Sequence, residues 1–320
     1  MAPTVATAGI DRAVRAVVSL VAAGAAIYLL TAVYVDWREL LSAVADLGTG
    51  ALLAGLLVAS LNYPLRFGRW HNMLRRMGQR VPLAGNALVY LGGLALTATP
   101  GKLGETVRSA MLLPWKVPVG ASLAAFFVDR LTDLIGVLLL AAATGGSPFW
   151  WTLAGAAAAA GFALRFTFVT RWMGALVDRL ERRRRLARLV KLLRTGMAHY
   201  AAAWNAPRVI AYVAIAVLAY GLQAAVFAFY VQKLWSSAEW MASLHIFSTA
   251  TLAGAASMIP GGLGAMELVL IAQLSLAGMP LTAATAAALA ARAVTLWFAI
   301  LLGLLCLLLF RRRAAAGFNA

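Results

Sequence analysis

The chain has 320 residues, 63% of them hydrophobic and 12% charged, with a formal net charge of +17. A soluble domain carries about 25% charged residues, so this chain has too little polar surface to face water on all sides. Its apolar runs are continuous and rich in Ala and Leu rather than short and alternating, which excludes a transmembrane β-barrel and leaves a polytopic helical membrane protein.

The first predicted span covers 14–34, with Arg15 its one charge up to Val33. It approaches the roughly 20 residues that cross a 30 Å hydrocarbon core. Arg12 and Arg15 flank it and no cleavage site is evident, so it reads as a retained span rather than a signal peptide. A polar link over 35–49 follows, with Asp36, Arg38, Glu39 and Asp46. The second span is 50–67, and the 66–80 stretch after it reads as a basic loop with five arginines and no acid. An apolar segment over 83–97 then meets a break at "PGKLG". A long helix is predicted over 119–142, a turn at "SPFW", and a span to 169. The leucines and valines of 172–194 recur at helical spacing among basic residues, which predicts an amphipathic cytoplasmic helix. A span over 208–231, a helix over 240–257, the stretch "SMIPGGLGAMELVL" and a last span over 282–309 complete the chain. Cys306, the single cysteine, sits in the last span and reads as packing.

Charge sets the orientation. Lys and Arg stay on the cytoplasmic side. That places the N-terminal arginines, 66–80, 171–194 and Arg311 to Arg313 inside, and 35–49 and 232–239 outside, with both termini cytoplasmic. Pro82 and Arg171 must then both be inside. The parity holds if 83–97 enters, breaks at Pro100 and returns by Trp115 as a re-entrant hairpin. The same logic makes 240–257 and 261–277 a second hairpin, entering from outside. Pro100-Gly101-Lys102-Leu103-Gly104 is answered by Pro260-Gly261-Gly262-Leu263-Gly264 about half the chain later, with Glu105 and Glu267 following. The expected fold is all-α, one membrane domain over 1–320, with an inverted-topology repeat of 14–142 and 148–309 and two opposed hairpins.

Proline blocks a preceding helix and suits the first turn of the next. A helix that begins near the midplane turns its unpaired N–H groups and positive dipole end inward, which favours an anion such as a phosphate headgroup. Lys102 adds a full charge. Glu105 and Glu267 lie in the first turns and can exchange between a proton or cationic headgroup and the guanidinium of Arg108, Arg130 or Arg292. Gly261 and Gly262 let the backbone approach closely. Charges at this depth are costly unless paired or wetted. Asp129 and Asp133 share a helix face with Arg130 beside it, so these three join the candidate translocation site. Equally, Arg130–Asp133 and Arg108–Glu105 fit as structural pairs. Asn62, Arg66 and Arg69, with Tyr63, are candidates to guide headgroups at the cytoplasmic face, or to act as ordinary interface anchors.

His71, His199 and His245 form no local metal motif, and there is no HExxH, GxSxG, P-loop or dinucleotide fingerprint. No metal or cofactor is expected. The basic excess suits an anionic leaflet, not nucleic acid. Without an ATPase domain, transport driven directly by ATP is not expected within this chain. An intramembrane glycosyl- or acyltransferase using Asp129 or Glu105 as base, or an accessory subunit of a lipid-synthesis complex, is the alternative.

"TPGKLGETVRSAMLL", "FFVDRLTDLIGVLLL" and "IPGGLGAMELVL" resemble the membrane region of the lysylphosphatidylglycerol synthase family, also called flippase-like. The likeness covers about 14–309, and "RFGRWHNML" resembles that family's arginine-tryptophan segment. Members that aminoacylate phosphatidylglycerol carry a soluble synthase domain after the membrane region, which this sequence lacks up to Ala320. The resemblance thus implies a flippase-like protein of the bacterial inner membrane. It would move a phosphate-bearing lipid or lipid-linked sugar between leaflets, with anionic membrane lipids and lipid-synthesis enzymes as partners. The family usually has Glu-Arg where this chain has Asp129-Arg130, which keeps the charge and shortens the reach. Some relatives are tied to hopanoid or polyprenyl-linked sugar pathways.

Overall fold

The computed structural model describes residues 37–96, 103–165 and 187–315, together with Ser19 and Gly24. Helix α1 (Trp37–Ser60) and helix α2 (Asn62–Arg76) follow one another almost without a break. The polar link expected over 35–49 is helical from Trp37. It bends at Gly48, whose φ of 76° and ψ of 151° interrupt α1. The expected basic loop is likewise helical as far as Arg76. Two causes account for this. Leu40, Leu47, Ala51, Gly55 and Ala59 bury one face of α1, and arginine is a good helix former, so a basic run need not be a loop. In α2, Asn62, Tyr63, Arg69, Trp70, Met73 and Leu74 all turn inward.

Helices α3 (Leu83–Leu96) and α4 (Leu103–Leu112) lie on either side of residues 97–102, where the first break is expected and which are outside the described residues. A 3₁₀ turn over Leu113–Trp115 and a left-handed Lys116 end α4, and Pro118 precedes α5 (Val119–Gly145). Helices α6 (Pro148–Ala163), α7 (Ala187–Ala203), α8 (Ala206–Leu234) and α9 (Trp240–Ala256) follow. A 3₁₀ turn over Pro260–Gly262 separates α9 from α10 (Ala265–Leu276). Helix α11 (Leu281–Arg292) runs through a π-helical turn, Ala293–Trp297, into α12 (Phe298–Ala315). π turns inside α-helices frequently mark functional sites, and this one begins one residue after Arg292.

Among the described residues, three helical stretches are long and apolar enough to cross a membrane: Trp37–Arg76, Ala206–Leu234 and Leu281–Ala314. Helix α5 is also long but carries Asp129, Arg130 and Asp133 at its middle. The expected span over 14–34 lies outside the described residues apart from Ser19 and Gly24, as does the amphipathic segment before Ala187. Leu53 and Leu57 on α1, with Leu61 directly after it, form an exposed apolar row, and Leu301, Leu305, Leu308 and Leu309 do the same on α12. Such rows suit lipid, not water. The fold is that of an all-α polytopic membrane protein.

The interior divides into two apolar clusters at opposite ends of α8. One gathers Trp70, Tyr90, Leu112, Val128, Trp204 and Tyr212. The other gathers Leu47, Phe227, Tyr230, Phe247, Leu270 and Leu274. Helices meet through small residues, as membrane helices do where backbones approach. A Cβ on Gly136 would lie 2.6 Å from the Ala216 side chain, and one on Gly303 would collide with the backbone of Ala95.

Candidate functional site

Among the described residues the arginines and carboxylates form two buried centres. In the first, Asp129 and Asp133 stand one turn apart on α5, and Arg66 and Arg69 one turn apart on α2. The i,i+4 and i,i+3 spacings put each pair on one face. Arg69 is fully buried. Its Nε donates to Asp129 Oδ1 at 3.0 Å, and its Nη2 donates to Asp129 Oδ1 and Asp133 Oδ1. Its Nη1 donates to the Tyr212 carbonyl on α8 at 3.3 Å. Arg66 Nη2 donates to Asp133 Oδ2. Arg130 Nη2 reaches Asp129 Oδ2 at 2.6 Å and Asp133 Oδ2 at 3.2 Å. Every carboxylate oxygen of the two aspartates thus faces a guanidinium.

The expected Arg130–Asp133 pair is present, as one edge of this larger network. Arg66 and Arg69, read in the sequence as candidate headgroup guides, are drawn to the two aspartates. Asn62 is buried and donates to the Ala59 carbonyl. The guanidinium of Arg66 also lies 5.4 Å from the ring centre of Tyr220, and that of Arg130 lies 5.4 Å from Phe126. Arg108 is buried between aromatic faces, 4.9 Å from Trp70 and 5.3 Å from Tyr90. Tyr220 and Tyr90 carry no charge and gave no site signal in the sequence, whereas Trp70 stands in the arginine-tryptophan segment. Cation–π contacts with desolvated guanidinium groups contribute about 2 kcal/mol or more. These rings therefore share the task of holding cations at depth.

The members of the first centre differ in access. The Arg69 side chain is 0% exposed and that of Arg66 12%, whereas Arg130 is 37% exposed. Arg130 engages the aspartates through Nη2 alone. Its Nε is buried without a hydrogen-bond partner among the described residues, as is that of Arg66.

The second centre joins α10 to α11. Arg292 Nε donates to Glu267 Oε1 at 2.8 Å, Nη1 to Met266 Sδ at 3.4 Å, and Nη2 to the Gly261 carbonyl at 2.6 Å. All three nitrogens of Arg292 are engaged. Gly261 and Gly262 hold φ of 63° and 64° in the turn before α10, which side-chain-bearing residues rarely adopt. A Cβ on Gly262 would press on the backbone of Gly254 at 3.2 Å. Glu267 lies in the first turn of α10, where the helix dipole favours a carboxylate. Lys102 and the side chain of Glu105 lie outside the described residues; the backbone of Glu105 falls in the first turn of α4. Among the described residues no group of three or more His, Cys, Asp or Glu could hold a metal.

No curated protein matches the chain. A family model, described as the lysylphosphatidylglycerol synthase TM region, matches residues 12–303, and the chain belongs to that family.

Proposed function

We propose that the protein moves a phosphate-bearing lipid between membrane leaflets. The observation that carries this is the first centre. Among the described residues it sets three guanidiniums against two carboxylates, with one guanidinium open. A charge at the bilayer centre costs about 2.5–3.5 kcal/mol on insertion scales unless it is paired or wetted. A phosphodiester supplies the missing charge and matches a guanidinium fork. The family description names a derivative of phosphatidylglycerol, itself a phosphodiester lipid.

The transport geometry is an inverted repeat of 14–142 and 148–309, with both termini cytoplasmic and the two broken helix pairs α3–α4 and α9–α10 as opposed re-entrant hairpins. Two observations support it. The offset that carries Glu105 onto Glu267 also carries Pro118 onto Pro280 and Arg130 onto Arg292. It carries the left-handed Lys116 onto Gly278, which has φ of 100°. Packing also exchanges under this pairing. Helix α3 lies on α12 as α9 lies on α5; α4 meets α5 as α10 meets α11; α2 meets α3 as α8 meets α9. Lys102, Glu105, Glu267 and the two glycines of the second break then belong to one central pathway.

Liposomes of phosphatidylcholine and phosphatidylglycerol, containing only this protein and a tail-labelled fluorescent phosphatidylglycerol, test the proposal. Dithionite should bleach the inner-leaflet label as well as the outer. Bleaching confined to the outer leaflet, as in protein-free liposomes, would overturn transport of this lipid class. A change in lipid mass on incubation with a donor would assign an enzyme instead.

A further inference from the structure

We infer that the protein has two phosphate half-sites of unequal strength, with Arg130 as the open ligand on the cytoplasmic side and Arg292 as its self-neutralised counterpart on the opposite side. This rests on the lipid-transport reading above and adds a loading side to it.

Arg130 and Arg292 occupy equivalent places. Each lies the same number of residues into a helix that begins directly after a proline, Pro118 or Pro280. Their helices enter from opposite faces under the inverted repeat, so the two guanidiniums lie at mirrored depths. Their surroundings differ. Asp129 and Asp133 map onto Ala291 and Thr295, so the aspartate pair belongs to the first half alone. There the aspartates are shared with Arg66 and Arg69, which leaves Arg130 with one engaged nitrogen and a side chain more than a third exposed. In the second half Arg292 spends all three nitrogens on Glu267, Met266 and Gly261.

The chemistry follows from this contrast. A phosphate oxygen at Arg130 gains unused N–H donors without displacing a carboxylate. A phosphate at Arg292 must first displace Glu267, and the displaced carboxylate would then repel it. Phosphate is therefore held at the Arg130 half-site and passed to a weak one, which favours release there. Depth agrees with cytoplasmic loading. Arg69 lies two turns, about 10 Å, from the basic end of α2 at Arg75 and Arg76.

Titration of the purified protein in a non-ionic detergent with dioctanoyl phosphatidylglycerol, followed by calorimetry, tests this, with inorganic phosphate titrated in parallel. The wild type should bind one lipid, and inorganic phosphate at least about tenfold more weakly. Arg130→Gln should weaken the lipid at least about tenfold. Glu267→Gln keeps an acceptor for Arg292 but removes the neutralising charge, so it should raise the stoichiometry from one to two. A Glu267→Gln protein that still binds a single lipid, or an Arg130→Gln protein that binds as the wild type does, would overturn the unequal half-sites while leaving lipid binding intact. If Arg130→Gln does not fold, the stoichiometry of Glu267→Gln decides alone. Absence of any lipid binding by the wild type would overturn the transport reading and this inference together. Equal affinity for inorganic phosphate would assign the site to a free anion and overturn the lipid.

Discussion

Arg292 donates to Glu267 across the junction of α11 and α10, and both side chains are about 6% exposed. Removing one member of a buried pair leaves an uncompensated charge and costs about 3–5 kcal/mol. Glu267→Ala and Arg292→Ala should each lower the melting temperature in detergent sharply. The exchange Glu267→Arg with Arg292→Glu should recover part of the loss, since the charges again oppose. A thermal-shift assay reads all three. Equal melting of Glu267→Ala and wild type would show that the pair contributes nothing to the fold.

The contact of α12 with α3 depends on Gly303. A Cβ there meets the backbone of Ala95, which cannot swing aside as a flexible side chain can. Gly303→Val should destabilise the protein by about 1–3 kcal/mol, the usual cost of overpacking. Gly221→Ala is the control: its Cβ meets no atom within 4 Å. It should be neutral or slightly stabilising, because alanine is the better helix former. Size-exclusion profiles after heating separate the two outcomes.

Much of this arrangement is legible in the residues. The break at Pro260–Gly264, the helices on either side of it, the long α8 and the central charges of α5 are all placed by composition and spacing. What the sequence does not convey is partnership over long separations. Arg66 and Arg69 sit at the end of a predicted span, where arginine ordinarily anchors at the headgroups. Only packing of α2 on α5 brings them to Asp129 and Asp133, some sixty residues away. The same limit hid the helix over 66–76. A basic run reads as a solvated loop until buried Trp70, Met73 and Leu74 are seen to supply an inward face. The π turn after Arg292 has no residue signature at all.

Topology can be read by cysteine labelling in a Cys306→Ala background. Ser147→Cys and Ser237→Cys should react with an impermeant maleimide added to intact cells, because they lie in turns poor in Lys and Arg. Gln79→Cys and Asn205→Cys, beside Arg75, Arg76, Arg80 and Arg208, should react only after the membrane is opened. The reverse pattern would place the basic ends outside and remove the basis for cytoplasmic loading.

The two carboxylates of the paired breaks give a separate test of the repeat. Gln matches Glu in volume and hydrogen-bonding reach but cannot ionise. If Glu105 and Glu267 take equivalent parts in the transport cycle, Glu105→Gln and Glu267→Gln should each insert and stay monodisperse while fluorescent phosphatidylglycerol crosses at least about tenfold more slowly, roughly 1.4 kcal/mol in the barrier. Normal rates in both variants would end the case for carboxylate participation.

The aspartate–arginine network should show strong non-additivity. Asp129 accepts from Arg69 and Arg130 at once, and Arg69 binds both aspartates, so no contact in the centre is a simple pair. Asp129→Asn removes one negative charge and leaves three guanidiniums facing Asp133. Arg69→Gln removes one positive charge and leaves the two aspartates closest to each other less compensated. Each single change should lower stability by about 3–5 kcal/mol, as for a broken buried pair. The double change restores the original excess of one positive charge. It should therefore cost less than the sum of the singles, with a coupling energy in the range of about 0.5–3 kcal/mol found for residues in one network. Chemical denaturation in mixed micelles measures the cycle. Strict additivity would mean that the aspartates and arginines act independently, and that the balance of charge in this centre does not hold α2 against α5.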